Sequence, residues 1–139
     1  MRVIIDTNIW SLMLRRLHRD LTRRERALSA ELEELVGEGR AMLLGMIRQE
    51  LLSGIVRQDH FEALRQRLRQ FDDEPITSAD HEHAAACFSG CRAQGVQGGP
   101  VDMLICAVAE RRRASVFTLD RDFVGYAKHL GFSLHAPRR

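Results

Sequence analysis

Lysine is almost missing from this 139-residue chain: 21 basic residues include only Lys128, so the other 20 are arginines. That scarcity disfavours any chemistry that needs a second lysine. Aromatic residues make up 6%, with one tryptophan and one tyrosine, which argues against a base-stacking platform for single-stranded nucleic acid. Cysteines number three (Cys87, Cys91 and Cys106), an odd count without a paired framework, so a disulfide scaffold is not expected. No run approaches 18 apolar residues, which excludes a membrane-spanning helix, and the opening Met1-Arg2-Val3-Ile4-Ile5 is too short an apolar run for a signal peptide. The expected location is therefore cytoplasmic. A large net charge is also missing. The formal value is +2, below that of a chain binding nucleic acid by bulk electrostatics.

What is present is ordinary globular composition, 45% hydrophobic and 29% charged, at a length that suits one domain spanning 1–139. Val3-Ile4-Ile5 reads as a short strand, and Ala41 to Leu44 and Val116 to Thr118 as two more. Ile76-Thr77 and Phe132 to Leu134 are candidates for a fourth and fifth. Helical spacing of apolar residues marks Ile9–Leu17, Thr22–Val36, Met46–Leu52, 58–72, Ser78–Ala93, 101–113 and Asp120–Leu130, and Thr22 with Glu25 matches a capping box. Short strands alternating with helices predict an α/β fold with a mostly parallel sheet of four to five short strands flanked by helices.

In such a sheet, ligands bind along the edge formed by the strands' carboxyl ends. Four carboxylates fall there. Asp6 follows the first strand, Glu50 lies early in the helix after the second, Asp102 is in the first turn of the helix near Pro100, and Asp120 comes just after the strand at 116–118. Each has a plain alternative as a helix cap or a solvated side chain. Asp102 is the most telling, as the one polar residue from Val101 to Ala109, a stretch whose apolarity predicts burial. An isolated buried carboxylate is costly unless it is paired or binds a metal. Clustered carboxylates repel and raise each other's pKa values, a penalty that a divalent cation removes, and oxygen donors suit magnesium or manganese. Such an ion serves phosphodiester hydrolysis without a protein nucleophile. This fits the lack of a histidine partner for Ser11, Ser53 or Cys106.

Asp6-Thr7-Asn8 after a β-branched strand resembles the opening motif of PIN-domain proteins. Arg48-Gln49-Glu50-Leu51, Asp102-Met103-Leu104-Ile105-Cys106-Ala107 and Thr118-Leu119-Asp120-Arg121-Asp122-Phe123 are similar to their second, third and fourth motifs. Singly each is weak; the ordered set, spread from residue 2 to about 134, is specific. Size and motifs look most like the VapC-type toxins of toxin–antitoxin pairs. The resemblance implies a PIN-like fold and a magnesium- or manganese-dependent endoribonuclease acting on RNA, with a cognate antitoxin and usually a homodimer. By position it implies Asp6, Glu50, Asp102 and Asp120 as catalytic residues, with Asp6, Asp102 and Asp120 on the metal. Asp122 is a rival or accessory for the fourth place, and Thr7, Asn8 and Thr118 support the cluster by hydrogen bonding.

Arg15, Arg16, Arg19, Arg23, Arg24 and Arg26 put six positive charges in twelve residues. They read either as a solvated face or as phosphate contacts beside the acidic pocket, Arg15, Arg16, Arg19 and Arg23 being the RNA-binding candidates. Trp10 and Leu14 could line a groove for the antitoxin, though core packing is the commoner fate. Cys87 and Cys91 are spaced i, i+4 with His81 and His83 nearby, so a zinc site is imaginable. The spacings of structural zinc are absent, and apolar packing in a reducing compartment is the preferred reading. Two alternatives to the nuclease stay open. One is phosphotransfer through an aspartyl-phosphate on Asp6, which wants an aspartate at position 8 or a placed lysine. The other is a non-catalytic module whose acidic pocket receives a partner's basic residue.

Overall fold

The β-branched run at the start of the chain pairs on both of its sides. In the computed structural model, which describes residues 1–138, β1 (Val3–Ile5) lies between β2 (Ala41–Met42) and β3 (Ser115–Phe117), and both pairings are parallel. Val3, Ile4 and Ile5 are fully buried, the continuous apolar pattern of a central parallel strand covered on both faces. Parallel neighbours need long crossovers, and helices supply them. Between β1 and β2 run α1 (Thr7–Leu14) and α2 (Arg23–Gly37). Between β2 and β3 run α3 (Gly45–Leu52), α4 (Gln58–Leu68), α5 (Ser78–Ala93) and α6 (Pro100–Arg112), and α7 (Asp122–His129) follows β3. This is the α/β architecture expected, a parallel sheet flanked by helices.

The sheet has three strands rather than four to five. At Ile76-Thr77 no strand forms. Leu43 makes one isolated parallel bridge to Asp73, Pro75 has no N–H to extend it, and Thr77 instead caps α5 in a reciprocal box with Asp80. Phe132–Leu134 is likewise reduced to a single bridge between Val116 and Leu134. Beyond it the chain is drawn onto α2, where the buried Glu31 carboxylate accepts from His135 Nε2 at 2.7 Å and from Arg138 Nε at 2.9 Å.

Two helices end earlier than their apolar spacing suggests, because arginines from elsewhere take their last carbonyls. Arg67 donates to the Leu14 and Met13 oxygens at the end of α1, and Arg48 donates to those of Leu68 and Phe71 at the end of α4. The Thr22–Glu25 capping box is formed as expected. Trp10 is fully buried with its ring edge-on to Phe71 and packs in the core, whereas Leu14, nearly buried, lines a cavity with Leu17, Ile55 and Leu64. Val101 is 41% exposed, unlike the buried Met103 and Ile105 to Ala109, so α6 is buried from its second turn onward and not from its start. The three thiols are free and buried; burial, then the Glu110 charge, pushes Cys87 up to about 12. Among the described residues no helix is long and apolar enough to cross a membrane.

Candidate functional site

Asp6 ends β1 and begins α1. Its backbone N–H donates to Phe117 O at 3.0 Å, which ties it to the end of β3, and its Oδ1 caps α1 by accepting from Thr7 N at 2.8 Å. The same edge therefore receives the residues that follow β3. Thr118 Oγ1 donates to Asp6 Oδ2 at 2.7 Å while accepting from Asp120 N at 2.9 Å and from Asn8 Nδ2 at 3.3 Å. One donor and two acceptor sites are all a hydroxyl has, so Thr118 is fully used as the joint between the two strand ends. Asn8 completes the tie: Nδ2 also reaches Asp6 Oδ2 at 3.4 Å, and Oδ1 accepts from Leu119 N at 3.0 Å.

The other two acids arrive on helices. Glu50 on α3 accepts from Thr7 Oγ1 at 3.2 Å through Oε2. Asp102 in the first turn of α6 accepts from Tyr126 Oη at 3.0 Å through Oδ2. Asp6, Glu50, Asp102 and Asp120, with Thr7 and Asn8, line one pocket of about 370 Å³. Four carboxylates separated by up to 114 positions are brought together. Asp122 is not on the pocket wall; it is exposed, and its backbone N–H donates to Asp120 Oδ1 at 2.9 Å. None of Arg15, Arg16, Arg19 and Arg23 lines the pocket. Asp6 caps one end of α1 and Arg15 the other, and eight helical residues rise about 12 Å.

Among the described residues no arginine, lysine or histidine pairs with Asp6, Glu50, Asp102, Asp120 or Asp122; all the ion pairs go to other acids. The Asp102 carboxyl is consequently held above the ordinary range. Burial is the largest cause and repulsion from Asp120, Asp6 and Asp122 adds to it, while the Tyr126 hydrogen bond works the other way. Tyr126 is itself pushed up, by burial and then by the Asp102 carboxylate. Oxygen donors of like charge, partly desolvated and without an internal cation, fit a hard divalent ion such as magnesium or manganese.

Tyr126 is the member of the site that sequence reasoning missed. The available signal was modest: the chain's one tyrosine, three residues after Phe123 on the same face of α7, the two rings 5.1 Å apart. Gly98 lies against the ring: a Cβ there would meet the flexible end of Met103 at 2.5 Å and the Tyr126 ring at 3.2 Å, which would have to give slightly.

Residues 3–129 match the family profile described as PIN domain. No curated protein matches the chain in sequence. Among solved structures the fold is similar to that of FitAcB from Neisseria gonorrhoeae (TM-score 0.76, 21% identity, 97% of each chain covered). It is also similar to VapBC2 from Rickettsia felis bound to a DNA fragment from its promoter (0.71, 16%, covering 97% of this chain and 98% of that one). DNA-bound VapBC from Salmonella typhimurium is a third (0.71, 14%, 97% of each).

Proposed function

Since the chain belongs to the PIN domain family, we propose that it is a magnesium- or manganese-dependent endoribonuclease, the VapC-type toxin of a toxin–antitoxin pair. The observation that carries this reading is the pocket where Asp6, Glu50, Asp102 and Asp120 meet without a basic partner among the described residues. A divalent ion, when bound, supplies Lewis-acid polarisation of a phosphodiester and acidifies water for attack. Asp6, Asp102 and Asp120 are the residues to hold it. Thr118 and Asn8 fix the Asp6 carboxylate, and Tyr126 fixes Asp102. Glu50 is oriented through Oε2 by Thr7, which leaves Oε1 to accept a proton from water. Asp122 acts from behind the pocket, by adding negative charge and by its hydrogen bond to Asp120.

Arg15, Arg16, Arg19 and Arg23 are exposed beyond the far end of α1 and would contact RNA phosphates away from the cut. A single domain over 1–139, a cytoplasmic location, a homodimer and a cognate antitoxin complete the proposal. The last is supported by the FitAcB and VapBC assemblies whose fold the chain shares.

Phosphotransfer through Asp6 is disfavoured by the local geometry. Position 8 is an asparagine engaged on each side of its amide, and exposed Lys128 on α7 is not on the pocket wall. The test is to incubate purified, partner-free protein with total RNA, with and without magnesium or manganese, and to map the cut ends. Cleavage that needs the ion and is lost in Asp102→Asn supports the proposal. Cleavage without an ion, or full cleavage by Asp102→Asn, overturns it. No cleavage under any condition favours the partner-binding module.

A further inference from the structure

A second cluster lies towards the other end of α6. His83 and Cys87, four residues apart on one face of α5, converge on Glu110 near the end of α6. His83 Nε2 is 3.1 Å from Glu110 Oε2, and Cys87 Sγ is 3.6 Å from Glu110 Oε1. Among the described residues this is the one trio of histidine, cysteine or carboxylate ligand atoms that all lie within 4.8 Å of one another. We propose that His83, Cys87 and Glu110 form a zinc site, separate from the acidic pocket, that clamps α5 to α6.

The spacing is that of a coordination shell. Bond lengths of about 2.3 Å to sulfur and about 2.1 Å to nitrogen and oxygen put neighbouring tetrahedral ligands about 3.4 Å (N and O) and about 3.6 Å (S and O) apart. The two separations, which run to different oxygens of Glu110, lie within about 0.3 Å of those edges, and one ligand atom from each residue can be chosen with all three within 4.8 Å, so an ion would draw the trio inward. Burial is graded in the sense an open three-ligand site requires. Cys87 is buried, whereas the side chains of His83 and Glu110 are 35% and 21% exposed, leaving a route for the ion and a position for water as fourth ligand. Glu110 has no arginine or lysine partner among the described residues; its partners are His83 and Cys87 themselves. One sulfur, one imidazole and one carboxylate select a borderline-soft late transition ion, whereas the oxygen-lined pocket at Asp102 selects a hard one. On binding, the Cys87 thiol proton leaves to solvent and neutral His83 coordinates through Nε2.

The sequence placed Cys91 and His81 in this neighbourhood, and neither joins the trio. Glu110 does, and it sits eight residues after Asp102 on the same helix, about 12 Å along its axis.

Cobalt(II) is the probe. Chelator-treated protein is titrated with Co²⁺, and bound cobalt is then competed with Zn²⁺. The expected result is one equivalent of tetrahedral cobalt with a thiolate charge-transfer band, displaced by zinc. The band is expected to be absent in Cys87→Ser, to need at least about tenfold more cobalt in Glu110→Gln, and to be unchanged in Asp102→Asn. His83→Gln, at a partly exposed position, carries the same test if Cys87→Ser does not fold. A titration with no thiolate band, or a band that survives unaltered in a folded Cys87→Ser or His83→Gln protein, overturns the proposal.

Discussion

At its first turn α6 sets Asp102 among Asp6, Glu50 and Asp120 with no basic residue against it; at its last it sets Arg111 and Arg112 on Asp80. Asp80 is the more buried acid, with no exposed surface, yet its carboxyl is held well below the ordinary range. Arg112 grips both of its oxygens at 2.7 Å, and Arg111 Nε reaches Oδ1 at 2.7 Å. Arg112 also ties in Glu74 through Nε at 2.9 Å. Asp102, less buried, is shifted the opposite way. Burial works against the charge at both carboxyls; fitted guanidiniums override it at Asp80, and nothing of the kind does so at Asp102 among the described residues. Arginines pair with the buried or nearly buried Asp80, Glu74 and Glu31, while among the described residues none pairs with an acid of the pocket. Near-neutral net charge thus conceals a paired acidic network and an unpaired one.

The largest way to break the contrast is to remove the guanidinium. Arg112→Ala leaves Asp80 and Glu74 short of charge, and a loss of about 3 kcal/mol is expected in urea unfolding. RNA cleavage per folded molecule should persist, because the residue is at the other end of α6. At the pocket, Tyr126→Phe removes the hydrogen bond to Asp102 and should lower manganese affinity and cleavage by about 10- to 100-fold. Its effect on stability should be nearer 1 kcal/mol, read by the same unfolding assay.

Acid sharpens the comparison further. Asp80 has a lower pKa folded than unfolded, so its support is complete above the unfolded carboxylate pKa of about 4 and fades as pH falls towards the folded value. Asp102 has the reverse sign: its pKa is higher folded, so its charge opposes folding once pH rises past the unfolded value, and protonation relieves it. Between about pH 5 and pH 3, wild type should lose roughly 1 kcal/mol more stability than Asp80→Asn, measured as urea midpoints against pH.

Much of the pocket was legible because its members sit where topology alone speaks: just after a strand, or in the first turns of the helices behind the strands. The Thr22–Glu25 box was legible for the same reason, being local. What could not be read depends on how helices meet. Tyr126 and Asp102 are 24 positions apart, Glu110 and His83 are 27, and Arg112 and Asp80 are 32. No periodicity records such pairings, since they follow from the packing of α5 on α6 and from the reach of Tyr126 on α7 to the start of α6. The strand count failed at the sheet's margins. There a short β-branched or aromatic run has the composition of a strand, but Pro75 and the pull of Glu31 on His135 leave it one bridge.

The Asp102 charge is held against the interest of the fold, the state expected of a carboxylate that serves a divalent ion. Urea unfolding of wild type and Asp102→Asn, each in chelator and in saturating manganese at neutral pH, tests it most directly. In chelator the variant should be the more stable, since it keeps an acceptor for Tyr126 and loses the repulsion. Manganese should then stabilise wild type and leave Asp102→Asn nearly unchanged. A variant less stable than wild type in chelator, or an equal gain from manganese in both proteins, would contradict the account.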